Sequence, residues 1–130
     1  MNLAARGVLL ASRLAPRAPE DLVRAIAQVA ADVSWLLRGK GVRRLESNLA
    51  RVHPGDAAEL RRLSRAGMRT YLRYYAEAFT LGGRSPEQIS ARVRGVGIDE
   101  VRSHTAQGRS VVLALGHQGN WDLAGAWATR

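Results

Sequence analysis

The sequence contains no cysteine, and this absence excludes several kinds of site at once. Without thiol groups the chain can form neither a disulfide nor a thiolate metal site, and it has no cysteine nucleophile. Its histidines lack the spacing to neighbouring ligands that is typical of zinc sites, so we expect no bound metal.

Long apolar runs are also missing. A helix that crosses a bilayer needs roughly 18 or more consecutive apolar residues. The longest uncharged runs in the first half cover residues 7–12 and 25–31, which are far shorter. If this protein meets a membrane, we therefore expect it to lie on the surface.

Acidic residues are few: 11 Asp and Glu stand against 20 Lys and Arg, which gives a net charge of +9. Such a surplus favours anionic partners, namely nucleic acid, anionic lipid head groups or an anionic substrate. No helix-turn-helix signature and no interleaving of aromatic and basic residues is present, so no nucleic acid partner is expected. One group of basic residues is interpreted either as a solvated face or as a site for lipid head groups and other phosphates: Arg6, Arg13, Arg43, Arg44, Arg51, Arg61, Arg62 and Arg65.

Apolar spacing predicts helices in the first three-quarters of the chain. We expect helices over residues 3–14, 19–39, 42–52 and 56–80, with a further helix start at Ser85-Pro86-Glu87-Gln88. In the second helix the large aliphatic residues follow the spacing of a buried stripe: Leu22, Val23, Ile26, Val29, Ala30, Val33, Leu36 and Leu37.

The pattern changes near Val93 and there predicts an α/β fold. A short strand is expected around 93–98, a helix over 99–107, a strand buried on both faces over 111–115, and a helix from Trp121 onward. The predicted fold is a single domain over 1–130, helical over about 1–92, which leads into a mostly parallel sheet flanked by helices. Because one or two strands cannot bury a sheet, we expect the sheet to be truncated at residue 130, as the front of a longer protein.

Candidate catalytic residues follow the second predicted strand. His117 and Asp122 would lie 140° apart on one continuous helix and would not meet. If His117 lies in the turn and Asp122 in the first helical turn, Gly119 lets the chain bring them together. The carboxylate then orients the imidazole, whose other nitrogen takes a proton from a hydroxyl group. Backbone N–H groups around Gly119 and Asn120 are candidate donors to a developing oxyanion.

The aromatic residues are interpreted as lining the substrate pocket, filling the core or serving packing and interfaces. Trp121, with Asn120, is expected to line the substrate pocket, although packing against the strand is the alternative. Trp35 and Trp127 are expected in the core. Tyr71, Tyr74 and Tyr75 share one helix side and are expected to serve packing or an interface.

The segment from Val111 to Trp127, VVLALGHQGNWDLAGAW, closely resembles the motif of the bacterial lipid A acyltransferase superfamily. It is most similar to the actinobacterial branch, the phosphatidylinositol mannoside acyltransferases, because the lipid A branch commonly has glutamate where Asp122 stands. The resemblance implies that His117 is the general base and that Asp122 is its partner. A weaker resemblance extends upstream through residues 48–54 and the Tyr-rich helix.

The resemblance also implies an activity and a location. The expected enzyme transfers a long-chain acyl group from acyl-CoA, a co-substrate, to a mannose hydroxyl of phosphatidylinositol mannoside, and it needs no other cofactor. It is expected on the cytoplasmic face of the cell membrane, bound peripherally to an anionic membrane surface. The alternatives are another glycolipid acceptor similar to lipid A, or a non-catalytic basic helical fragment that binds membranes or nucleic acid. Alone, the 130 residues are expected to be poorly soluble and nearly inactive.

Overall fold

A computed structural model describes residues 3–53, 55–114, 116 and 118–129 of the chain. Its helices are α1 (Leu3–Leu14), α2 (Glu20–Leu37), α3 (Lys40–Val52), α4 (Ala57–Leu81), α5 (Pro86–Ser90), α6 (Ile98–Ala106) and α7 (Trp121–Ala128), and a 3-10 turn over Ala15–Arg17 follows α1. The chain divides into two compact units, residues 1–83 and residues 84–130. We call these the helical unit and the motif unit.

The predicted helices are confirmed, and local capping explains several of their ends. The Asp56 side chain accepts a hydrogen bond from the Glu59 backbone N–H at 2.7 Å, which satisfies one of the unpaired donors at the start of α4. Ser85 and Gln88 form a complete capping box at the start of α5, with Pro86 in the first turn. These short-range signals are readable from sequence because both partners lie within one helical turn.

The predicted parallel sheet is wrong, since the described part of the chain contains no strand. Residues 93–97 form an irregular connection, and residues 111–114 lie in the loop between α6 and α7. The side chain of Val112 is 93% exposed rather than buried on both faces. An apolar run becomes a strand only when a neighbouring strand accepts its hydrogen bonds, and no described residue offers one. Leu115 lies outside the described residues.

The helical unit is built mainly on the packing of α2 against α4. Small side chains lie at this contact: Ala31 and Ser64 are fully buried, and Ala76 is 5% exposed. Small residues at such a contact let two helix backbones approach closely.

The stripe of large aliphatic residues that was expected to be buried on α2 is therefore largely exposed. Ile26 is 61% exposed, Val29 is 64% exposed and Leu36 is 67% exposed. At about 100° per residue, these residues lie roughly 140–160° around α2 from Ala31 and so face largely away from it. None of the helices in the described part of the chain is both long and apolar enough to cross a membrane.

A cluster of polar side chains that includes Ser64 joins α2, α3 and α4. The indole Nε1 of Trp35 donates to the Ser64 hydroxyl at 3.0 Å, and that hydroxyl lies 3.2 Å from a carboxylate oxygen of Glu46. The Arg61 guanidinium donates to the same carboxylate oxygen at 2.6 Å and lies 3.8 Å above the centre of the Trp35 ring. Trp35, which was expected in the core, is only half-buried, and it is held by this hydrogen bond and by the arginine above its ring.

Candidate active site

Four of the five predicted site residues lie together at the start of α7. Gly119 has a φ of 70°, a left-handed conformation that a side chain would strain. Asn120 follows as the N-cap, and its side-chain oxygen accepts a hydrogen bond from the Leu123 backbone N–H at 2.9 Å. The turn into α7 therefore depends on a glycine conformation followed by an asparagine cap.

Asp122 lies in the first turn of α7 and is exposed. A carboxylate at this position is favoured by the positive end of the helix dipole. The prediction that Asp122 lies in the first helical turn is confirmed. His117 lies outside the described residues, so its pairing with Asp122 stays a prediction.

Trp121 is the first residue of α7, and its side chain is 38% exposed. Its proposed role in lining a substrate pocket stays a prediction. In the same way, the backbone N–H groups around Gly119 and Asn120 stay candidate oxyanion donors.

Trp127 holds α7 in the motif unit through a close contact with Gly95. A Cβ atom placed at Gly95 would lie 2.8 Å from the far edge of the Trp127 indole, and it would also collide with Ile98. Only a residue without a side chain allows the ring to lie this close. Trp127, which was expected in the core, is only half-buried, and it lies against a glycine that the sequence predicted in a strand.

The basic residues of the helical unit divide into those held by acids and those that face solvent. Arg65 and Arg69 both form two hydrogen bonds to the Asp32 carboxylate, at 2.6–3.0 Å. These bonds hold the pKa of Asp32 well below its ordinary value. Both arginines are therefore engaged in joining α4 to α2.

Glu46 engages two further arginines. Burial raises the pKa of the Glu46 carboxyl, but hydrogen bonds from Arg61, Arg38 and Ser64 outweigh it, and the net effect lowers that pKa. Arg62 pairs with Glu59 at 3.4 Å. Of the basic group interpreted as either a solvated face or a phosphate site, Arg61, Arg62 and Arg65 are thus engaged by carboxylates within the fold.

Sequence reasoning missed an open groove between α2, α3 and α4, with a volume of about 530 Å³. Gly39 and Gly41 line it, yet in the sequence they indicated only the end of a helix. Gly67 inside α4 was the signal that could have found it, because an isolated glycine in a helical pattern often has a packing or functional reason.

Within the described ranges, no group of three or more potential ligands lies close enough to hold a metal ion. The expectation that the protein binds no metal stays a prediction.

Comparison with known proteins relates this arrangement to an enzyme family. The sequence profile of the bacterial lipid A biosynthesis acyltransferases matches residues 6–130. A protein from Mycolicibacterium smegmatis named phosphatidylinositol mannoside acyltransferase is 36% identical over 118 residues, which cover 88% of this chain and 38% of that protein. The protein of the same name from Mycobacterium tuberculosis strain H37Rv is 36% identical over 96 residues, covering 72% of this chain and 30% of that protein.

The matched part of the chain thus spans 38% and 30% of the length of these two relatives. No solved structure matches it significantly. The profile match covers both units, from α1 through the motif at α7, and the predicted family resemblance is confirmed. This chain belongs to the bacterial lipid A biosynthesis acyltransferase family.

Proposed function

We propose that this chain is the part of an acyltransferase that carries its general base, and that the enzyme acylates a mannose hydroxyl of phosphatidylinositol mannoside. The observation that carries the proposal is the identity of 36% over 88% of the chain to a relative with that name. The position of Asp122 in the first turn of α7 supports it, because the proposed pairing with His117 requires the carboxylate in that turn.

In the proposed reaction, His117 removes the proton of the acceptor hydroxyl while its oxygen attacks the thioester carbonyl of a long-chain acyl-CoA. The new C–O bond forms and the C–S bond breaks. His117 then passes the proton to the departing CoA thiolate. Asp122 stabilises the imidazolium between these steps, and backbone N–H groups near Gly119 stabilise the oxyanion.

We further propose that the enzyme binds peripherally to the anionic cytoplasmic face of the cell membrane. Exposed aliphatic residues support this, since Leu10 and Leu14 on α1 are 58% and 56% exposed. Arg6, Arg13 and Arg17 lie beside them, and no acidic residue precedes Glu20. A basic amphipathic helix of this kind binds the interface of anionic bilayers.

The test of the reaction is His117→Ala in a chain of the relatives' full length. Loss of a general base should lower the rate of acyl transfer from palmitoyl-CoA by about 10²–10⁴-fold. His104→Ala is the matched control, because this histidine lies on α6, and it should keep full activity. Near-normal turnover by a folded His117→Ala enzyme would remove His117 from the role of base.

The acceptor is tested by supplying phosphatidylinositol mannoside and a lipid A precursor side by side. Transfer to the mannoside alone is expected, whereas transfer to the lipid A precursor alone would favour the alternative acceptor. Membrane binding is tested by sedimentation with vesicles, and binding should require anionic lipid and weaken with salt.

A further inference from the structure

The exposed aliphatic residues of α2 share one side of the helix and form a continuous strip along it. We call this strip the α2 stripe: Leu22, Ile26, Val29, Val33, Leu36 and Leu37. These side chains are 49–78% exposed. The α2 stripe therefore presents large apolar side chains to solvent over most of the length of the helix.

The spacing within the α2 stripe is the heptad pattern of a coiled coil. From Leu22 to Leu36 its residues are separated alternately by four and three positions, as the a and d positions of a heptad are. Ile26 and Val33 then occupy a positions, and Leu22 and Leu36 occupy d positions on either side of Val29. In parallel coiled coils, β-branched residues at a with leucine at d favour a two-stranded assembly. The pattern thus indicates one further helix of the same kind as the partner of α2.

The borders of the α2 stripe leave room for side chains of a second helix. Ala25 and Ala30 flank the stripe and, with Ile26, Val29 and Val33, line a shallow apolar depression. Small residues beside an apolar seam form the holes that receive the side chains of a facing helix.

The charges of α2 disfavour an anionic membrane as the partner of the stripe. A helix that lies on an anionic bilayer carries basic residues on its polar face. The charged residues of α1 are arginines, whereas α2 carries three acids, Glu20, Asp21 and Asp32, and a single arginine, Arg24. The α2 stripe therefore suits an apolar protein surface better than it suits anionic lipid.

The area of the α2 stripe meets the requirement of a small specific interface. Its six side chains each expose on the order of 100 Å². Two copies of the stripe would together bury about 1,200 Å², which is the lower end of the range for specific protein interfaces. A dimer that forms at micromolar concentrations is expected from an interface of this size.

We propose that the helical unit pairs with a second copy of itself through the α2 stripe and forms a symmetric dimer. A two-fold symmetric interface uses the same surface on both copies. Val29 is the midpoint between Leu22 and Leu36, so it faces its counterpart in the second copy. The inference goes beyond the proposed acyl transfer and is measured by mass without turnover. Its failure is thus separate from any failure of the proposed reaction.

The test is sedimentation equilibrium of the 130-residue chain over a range of concentrations. The mass should rise from one chain to two chains and stop there. Val29→Lys should weaken dimerisation at least tenfold, because it brings two ammonium groups together in an apolar interface. Gln28→Lys is the matched control, since it adds the same charge at an exposed neighbouring residue outside the stripe, and it should dimerise as the unmodified chain does. Circular dichroism checks that both variants are folded.

The contact itself is tested with a single thiol, because the chain has no cysteine of its own. With oxidised glutathione as the oxidant, Val29→Cys should form a disulfide-linked dimer, since equivalent residues at the centre of the interface come within reach of a disulfide. Gln28→Cys should remain a single chain in the same reaction. Denaturing electrophoresis without reductant measures both, and it gives an answer even if Val29→Lys is unfolded.

Four results would overturn the proposal. The first is an unmodified chain that stays monomeric at every concentration, and the second is growth beyond two chains, which is unspecific aggregation. The third is equal crosslinking of Val29→Cys and Gln28→Cys. The fourth is a monomer in a chain of the relatives' full length, which would show that another part of that chain covers the α2 stripe. A monomer whose binding to vesicles is lost in Val29→Lys would assign the stripe to a membrane instead.

Discussion

The helical unit and the motif unit differ in how their side chains find partners. In the helical unit, polar groups from three helices meet in one cluster, and the Ser64 hydroxyl is fully buried with its hydrogen bonds made. In the motif unit, the loop before α7 leaves Leu113 58% exposed and Val112 almost completely exposed. Among the described residues, the buried polar cluster therefore belongs to the helical unit, whereas the residues predicted to do chemistry belong to the motif unit.

The largest expected effect on stability is the loss of the cluster at Glu46. Arg61→Ala removes a charged hydrogen bond and the cation above Trp35, and should lower the free energy of unfolding by about 2–3 kcal/mol. Arg62→Ala is the control on the next residue, because Arg62 is 72% exposed and its ion pair is long. It should change stability by less than about 0.5 kcal/mol. Urea unfolding followed by circular dichroism measures both, and equal effects would contradict the importance of the cluster.

A smaller effect is expected in the motif unit. Gly95→Ala places a methyl group against Trp127 and Ile98, and should destabilise the packing of α7 by about 1–2 kcal/mol. Hydrogen exchange of the α7 amides should accelerate accordingly. Gly125→Ala is the control within α7, since its Cβ meets nothing within 4 Å, and it should slow exchange slightly because alanine favours a helix. Unchanged α7 exchange in Gly95→Ala would show that this contact does not hold the helix.

The smallest expected effect is a pH dependence of the free energy of unfolding, and it comes from the acids that join the helices. The pKa values of Asp32 and Glu46 are lowered in the folded chain, so the unfolded chain binds protons at higher pH than the folded chain does. Their stabilisation is complete above the ordinary pKa values of 3.8 and 4.5, and it is lost as the pH falls below them. Unfolding measured between pH 3 and about pH 7 should therefore show stability falling toward acid.

Asp32→Asn should flatten this pH dependence, because it removes one of the two titrating groups. Asp99→Asn should leave it unchanged, since Asp99 is fully exposed and 3.9 Å from Arg102. An equal acid sensitivity in the unmodified chain and in Asp32→Asn would assign the pH dependence to other groups.

Several features were predictable because their causes are local. The helix starts at Asp56 and Ser85 depend on partners three residues away, and both are confirmed. The glycine-bounded turn before Trp121 predicted a helix start there, and this placed Asp122 in the first turn of α7. The family was also predictable, because it depends on a contiguous motif.

The sequence by itself thus determined where most helices begin, that Asp122 lies in the first turn of α7, and to which family the chain belongs. Only the tertiary structure decided that Ala31, and not Ile26 or Leu36, faces α4, because periodicity defines a face without naming its partner. It also decided that residues 111–114 form no strand, since a strand requires hydrogen bonds from a distant segment. The groove beside Gly41 likewise exists only where three helices meet.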